Sequence, residues 1–210
     1  DVTIVGGGLC GLLCAYFLKE AGVECLLLEG SRIASGTVRH AMAQVTSQHG
    51  LIYSRLLESL GEEKARMYFE ANELALRKYR DFEERSSYIY SRTDKECIER
   101  EVRAASLLGM KAEFCETPEL PFDTAGAVRF PNQAQMNPVK FLYGLVKDIE
   151  KSDKVTIFEE MPVDDWINGT TWSGLYITIP KNIICATHFP FYKKAGGYNN
   201  KLYQNRSYIM

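Results

Sequence analysis

An α/β fold, with a parallel sheet interrupted by a smaller β-rich domain, is what this sequence predicts, on three observations. Residues 1–29 run through an apolar strand, a glycine-rich turn, a helix and a second strand. A further helix-plus-strand crossover follows much later, at 137–159. Between the two lie short strand-like runs, the pattern of one domain inserted into another.

Asp1-Val2-Thr3-Ile4-Val5 opens the chain as a β-branched run suited to a buried strand. Gly6-Gly7-Gly8-Leu9-Cys10-Gly11 then places glycine at all three fixed positions of G-x-G-x-x-G. Leu12 to Ala21 (LLCAYFLKEA) reads as a helix, closed by Gly22 where a left-handed cap is expected. Glu24 to Leu28 makes the second strand, and Glu29 stands at its end.

Each position in that register has a task. Gly6 permits a tight strand-to-helix turn, Gly8 leaves a pyrophosphate room against the backbone, and Gly11 lets helix and strand pack closely. The helix N-terminus offers free N–H groups and the positive end of its dipole to phosphates, and Leu9 and Cys10, inside the glycine motif before it, are counted with the site. Glu29, eighteen residues beyond Gly11, can accept hydrogen bonds from adenosine ribose hydroxyls. A lone glycine motif is weak evidence, but strand, glycines, helix and strand-terminal acid together predict a Rossmann-type dinucleotide site. Glu29 repels a 2′-phosphate, so the dinucleotide is expected to lack one. Arg32, three residues past the strand, is expected to face a phosphate or solvent.

The 210 residues can form one large domain or two small ones, and 46% hydrophobic with 25% charged residues is ordinary for a chain with a buried core. A net charge of -2 argues against a polyanion-binding surface, so nucleic acid is not an expected partner. The six cysteines are scattered without a C-x-x-C pair and are read as reduced, buried thiols of a cytoplasmic protein. Glycines interrupt the first apolar run and Lys19-Glu20 close it, so no membrane span is expected there.

Gly30 to Gly50 is a long polar segment carrying two of the three histidines, and loops of this length are usually functional or disordered. Leu51 to Phe82 reads as helical, with Tyr68, Ala71, Ala75, Tyr79 and Phe82 as its apolar stripe. Ser87 to Ser91 is a strand candidate, and Thr93-x-x-Glu96 a capping box for a helix with Ile98, Val102, Ala105 and Leu108 on one face, ended by Gly109. Ala112–Cys115 and Ala127–Phe130 are short strands around a Pro118/Pro121 turn region. Asn137-Pro138 caps a helix with Val139, Leu142, Val146 and Ile149 buried, and Val155 to Glu159 (VTIFE) follows as a parallel strand. Two junctions look short, at Glu83 to Ser87 and across Trp166 to Pro180, as if residues were missing there.

LLEGSRIASGTVRHAMAQVTSQHG (27–50) and VRFPNQAQMNPVKFLYGL (128–145) resemble the DAO-type FAD-dependent oxidoreductases, the glycine/D-amino-acid oxidase-like family. Within it they most resemble the bacterial branch whose members often carry a C-terminal Rieske iron–sulfur domain. The resemblance runs from Asp1 almost to Met210 and implies FAD as cofactor. Gly30, Ser31 and Arg32 are counted with its site. It implies that Ser35, Gly36, Thr37, His40, Ala43, Gln44, Val45 and Thr46 wrap the pyrophosphate, ribityl chain and flavin ring. In some relatives a histidine of this loop is joined covalently to the flavin, so His40 is a candidate, and non-covalent contact with the ring is the expectation for it. Arg39 departs from the family, which has a small residue there.

By the same resemblance Val163 meets the adenine through its backbone. Ala186 and Thr187 belong to the family's small-residue turn (commonly A-T-G) under the dinucleotide. His188 replaces the glycine and reads equally as a structural turn residue. The implied fold is a Rossmann-type FAD domain (1–80 and 137–195) interleaved with a β-rich substrate domain (81–136 and 196–210) that is cut at the C-terminus. The implied reaction is oxidation of a C–N bond in an amine or amino acid by hydride transfer to the flavin. Catalytic residues are expected largely beyond Met210, and no residue set here suits a Rieske cluster or another metal. The alternatives are an NAD-dependent dehydrogenase, which has no use for the Ser35–Thr46 loop, and an FAD-binding protein without turnover.

Overall fold

The computed structural model describes residues 1–41, 43–78, 82–116, 120–167, 169–189 and 197–204, apart from the side chains of Phe82, Ile167 and Asn199. The chain runs β1 (Val2–Val5), α1 (Leu9–Glu20), β2 (Cys25–Leu28), a 3-10 turn (Thr37–His40), β3 (Gln44–Val45), α2 (Tyr53–Leu76), β4 (Phe82–Ser91) and α3 (Lys95–Leu107). It continues through β5 (Glu113–Cys115), β6 (Gly126–Met136), α4 (Pro138–Ile149), β7 (Val155–Phe158), β8 (Asp165–Ile167), β9 (Thr170–Ser173), β10 (Tyr176–Thr178), β11 (Asn182–Cys185) and a short α5 (Tyr198–Lys201). Two compact units divide it, Asp1–Met42 with Pro138–Met210, and Ala43–Asn137.

The first unit holds a parallel sheet in the order β11-β1-β2-β7. Val2 to Val5 pair with Cys25 to Leu28 on one side and with Asn182 to Cys185 on the other. β7 closes the sheet beside β2, with Cys25 opposite Val155. Every residue of β1 is buried, as a central parallel strand requires. Leu12 of α1 and Leu142 and Ile149 of α4 pack with Ile4 and Leu27 in one core. Burying each such side chain stabilises by about 1.5–3 kcal/mol. Both crossovers read from the sequence are therefore present. Between β7 and β11 sits the antiparallel meander β8-β9-β10, three short strands fitted into the segment whose brevity suggested missing residues.

The second unit is an antiparallel sheet, β3-β6-β4 with β5 also on β6, covered by α2 and α3. Its boundary differs from the one expected at residue 80. α2 shares a core with α3 and β6 through Tyr53, Ala65, Ile98, Val128 and Phe130, and so belongs with the sheet it covers. The stripe expected on this helix is also displaced. Ala71 and Ala75 are exposed, Phe82 lies in β4, and Tyr79 falls outside the described residues. Gly61, at φ +80, breaks the helical register, so Tyr53, Leu56 and Leu57 before it and Ala65, Tyr68 and Phe69 after it form the buried face.

On α3 the expected face holds, but the cap is Asp94 rather than Thr93, its carboxylate accepting the Cys97 N–H at 2.9 Å. The fully buried Glu101 reaches from α3 to α2, accepting the N–H groups of Tyr53 at 2.7 Å and Ser54 at 2.9 Å. It serves as the missing N-terminal cap of α2, whose own Ile52 offers no side-chain acceptor. Beneath it Tyr53 donates its hydroxyl to the Ser47 carbonyl, and burial pushes that phenol well above its usual pKa.

Candidate dinucleotide-binding site

β1, the glycine turn, α1 and β2 build the site of the first unit. Val5 ends its strand with Gly6 donating to the Leu28 carbonyl at 2.8 Å, and α1 starts three residues after Gly6, at Leu9. Gly6 sits at φ +107, and a Cβ there would stand 2.6 Å from the Ala186 carbonyl oxygen. A Cβ on Gly11 would collide with the Gly6 carbonyl oxygen. Each forces a glycine by close backbone approach.

Gly8 is different. It caps α1 in an extended conformation open to any residue, and a Cβ on it would meet nothing within 4 Å. The α1 N-terminus carries no side-chain cap and no acidic residue in its first turn. The first N–H groups of any helix lack intrahelical acceptors, so those of Leu9, Cys10 and Gly11 lie where an anion can meet them. Cys10 is exposed beside them, while Leu9 packs into the core and fixes the turn. Burial, and then Cys10, raise the pKa of the Cys14 thiol one helical turn on, which makes it a poor nucleophile.

Glu29, half-buried at the end of β2, is held from two sides. Its Oε2 accepts the Gly7 N–H at 2.7 Å and its Oε1 the Ser31 N–H at 2.9 Å. Each oxygen keeps a second lone pair, so the carboxylate is pinned in place yet still able to accept from hydroxyls. Arg32 does not wait for a phosphate: its Nη2 and Nε donate to Glu160 Oε1 at 2.9 and 3.2 Å, in an exposed pair. The chain after β7 runs alongside, with Met161 donating to the Glu29 carbonyl at 2.8 Å and Glu160 to the Ser31 carbonyl at 2.7 Å. Pro162 abuts Gly30, where a Cβ would be 3.4 Å from the Pro162 Cα, and Val163 follows half-buried.

Ala186 donates to the Val5 carbonyl at 2.8 Å and continues the sheet's edge beside the glycine turn. The Thr187 hydroxyl donates to the Phe189 carbonyl at 2.8 Å. His188 is exposed at φ +66, a left-handed conformation that favours glycine, so the substitution noted in the sequence leaves a strained residue. Ser35 donates its hydroxyl to the Arg32 carbonyl at 2.7 Å, and Gly36 leads into the 3-10 turn. Val38 of that turn packs on the first unit's core while Thr37, Arg39 and His40 stay exposed.

The structure thus brings Gly6, Gly8, Leu9, Cys10, Gly11, Glu29, Gly30, Ser31, Arg32, Ala186 and Thr187 around one sheet edge. Ala43, Gln44, Val45 and Thr46 belong to the second unit instead. There β3 pairs with β6, and the Thr46 hydroxyl donates to Gln133 Oε1 at 2.7 Å. Sequence reasoning missed Gly7, Ile33 and Glu159. A Cβ on Gly7 would run into Ile33 Cδ1 and stand 3.0 Å from Glu29 Cβ, so the middle glycine of the triplet is also needed. Its signal was the uninterrupted Gly6-Gly7-Gly8 run.

The donor set fits the adenosine and pyrophosphate half of FAD. A Cβ on Gly8 would meet no protein atom before the uncapped helix N-terminus, and a fixed carboxylate with free lone pairs stands at the neighbouring strand end. Comparison with known proteins agrees. The family model DAO, FAD dependent oxidoreductase, matches residues 1–209. YhfW of Bacillus subtilis (strain 168), named as a Rieske 2Fe-2S iron-sulfur protein, is 31% identical over 227 residues, covering 100% of this chain and 44% of that protein. Gamma-glutamylputrescine oxidoreductase of Escherichia coli (strain K12) is 36% identical over 78 residues, 35% of this chain and 18% of that one. Among solved structures, glycine oxidase from Geobacillus kaustophilus superposes with a TM-score of 0.68 at 19% identity, over 89% of this chain and 55% of that chain. L-proline dehydrogenase from P. horikoshii gives 0.66 at 17%, over 89% and 52%. These two likenesses speak for the fold alone, and the chain spans about half the length of the solved oxidases.

Proposed function

Because the chain belongs to the DAO family of FAD-dependent oxidoreductases, we propose that it forms the FAD-binding portion of an enzyme oxidising a C–N bond in an amine or amino acid. The observation that carries the reading is the Glu29 carboxylate fixed on Gly7 beside the open space at Gly8. Glu29 holds the adenosine ribose, and the N–H groups of Leu9, Cys10 and Gly11 hold the pyrophosphate. Val163 borders the adenine, and Ala186, Thr187 and His188 line the turn beneath. Gly30, Ser31 and Arg32 flank the ribose, and Ser35, Gly36, Thr37 and His40 continue toward the flavin end. Bound FAD supplies a two-electron acceptor for a hydride from the substrate carbon. The resulting imine takes up water and releases a carbonyl compound and the amine nitrogen.

The names of the relatives support a small amine or amino acid as substrate, and the YhfW match supports a Rieske domain as a partner in the whole protein. Six unpaired thiols suit a reducing compartment, and on that ground we assign the protein to the cytoplasm. No helix among the described residues is long and apolar enough to cross a membrane. The full-length protein should show flavin absorption bands that bleach anaerobically on adding a substrate from an amine and amino-acid panel. A colourless protein that takes up no FAD, or flavin that no panel member reduces, would sink the proposal.

A further inference from the structure

We infer that Glu159, at the end of β7, is a positioning residue for the pyrophosphate turn, an inference that rests on the FAD reading of that turn. Glu159 is exposed, and among the described residues no hydrogen bond joins it to the glycine run or to α1. Its Oε1 instead accepts the N–H of Ile33 at 2.6 Å, across 126 residues of sequence. That bond ties the loop after β2 to the strand two places along the sheet from β1.

Ile33 transmits the constraint. It is only 5% exposed in an otherwise solvated loop, and its Cδ1 occupies the space a Cβ on Gly7 would need. Gly7 is therefore held twice, its N–H on Glu29 Oε2 at 2.7 Å and its Cα face against Ile33. Glu29 fixes the direction of one peptide, and Ile33 fixes how far the turn can sag toward β2. Gly8 and the first N–H groups of α1 follow directly in the chain, so their aim depends on Gly7 staying put.

The bond is well placed for this work. A backbone N–H donating to a carboxylate is among the stronger neutral-to-charged hydrogen bonds. The adjacent Arg32–Glu160 pair and the Glu160 N–H on the Ser31 carbonyl at 2.7 Å fasten the same two segments, and both are made at residues that precede Ile33 in the loop. Glu159 supplies the side-chain tie at Ile33 itself, which sets it apart from Glu160.

The test compares Glu159→Ala and Glu159→Gln with the unaltered chain. Glutamine keeps a carbonyl oxygen able to accept the Ile33 N–H, whereas alanine removes the acceptor. FAD affinity is read by quenching of flavin fluorescence, and amide hydrogen exchange is read without FAD. The inference predicts about a tenfold weaker Kd for E159A and near wild-type binding for E159Q. Exchange should quicken in E159A at residues 6–8 and 30–36 while α4 stays protected. A general loss of stability would instead speed exchange throughout the sheet and spare no segment, which overturns the inference. Ile33→Ala keeps the backbone bond but removes the packing on Gly7, and should weaken FAD similarly even where E159A folds poorly. FAD affinity unchanged in E159A and I33A also overturns the inference. A wild-type chain that fails to bind FAD would instead overturn the functional reading beneath it.

Discussion

Gly8→Ala separates cofactor binding from folding more cleanly than any other substitution in the site. In the folded protein the added methyl meets nothing within 4 Å, and Gly8 already sits at φ -79, ψ -170, where alanine is unstrained. Alanine is a poorer helix N-cap than glycine by some tenths of a kcal/mol. It also restricts the unfolded chain, which is worth about 0.4–1 kcal/mol in the other direction. The two offset, so stability without FAD should stay within roughly 0.5 kcal/mol of wild type. With FAD the methyl stands in the space assigned to the pyrophosphate. Forcing one methyl into a filled contact costs about 1–3 kcal/mol, a Kd some five- to 150-fold weaker. Thermal unfolding without and with excess FAD measures both quantities. Wild-type stability should rise by about 2.7 kcal/mol at FAD one hundred times its Kd, and G8A at the same concentration should gain clearly less. Equal FAD-induced stabilisation of G8A and wild type would refute the placement of the pyrophosphate.

Gly11→Ala should behave in the opposite way, losing about 1–3 kcal/mol or more in denaturant unfolding even without FAD, because its Cβ collides with the Gly6 carbonyl. His188→Gly removes a side chain from φ +66 and should unfold no earlier than wild type, up to about 2–4 °C later by calorimetry, whereas His188→Val should unfold earlier. Glu101→Ala strips two buried N–H groups of their acceptor and should cost about 3–5 kcal/mol in urea, with Glu101→Gln intermediate; a loss under ~1 kcal/mol would contradict the capping role.

The parallel sheet was legible because its signals are local. The apolar run Val2–Val5, the spaced glycines and Glu29 each state their own position, and the α4–β7 crossover repeats the pattern. What could not be read depends on contacts between distant segments. Glu101 looks like a solvated helix residue until α2 is laid beside it, and Glu159 like a polar strand end until Ile33 is found opposite. Gly61 breaks the register of α2 without any proline to announce it, so a stripe counted through to Phe82 drifts off the buried face. The unit boundary at Ala43 was hidden for a related reason: two residues of β3 suffice to join β6, too few to show alternation.

The most direct test of the account is a calorimetric titration of FAD into the chain, repeated in the presence of a dinucleotide bearing a 2′-phosphate. A single saturable FAD site per chain is expected, weakened by competing ADP and unaffected by the 2′-phosphorylated compound, because the carboxylate of Glu29, assigned here to the ribose, repels a 2′-phosphate. No saturable heat with FAD, or displacement of FAD by the 2′-phosphorylated dinucleotide in preference to ADP, would contradict it.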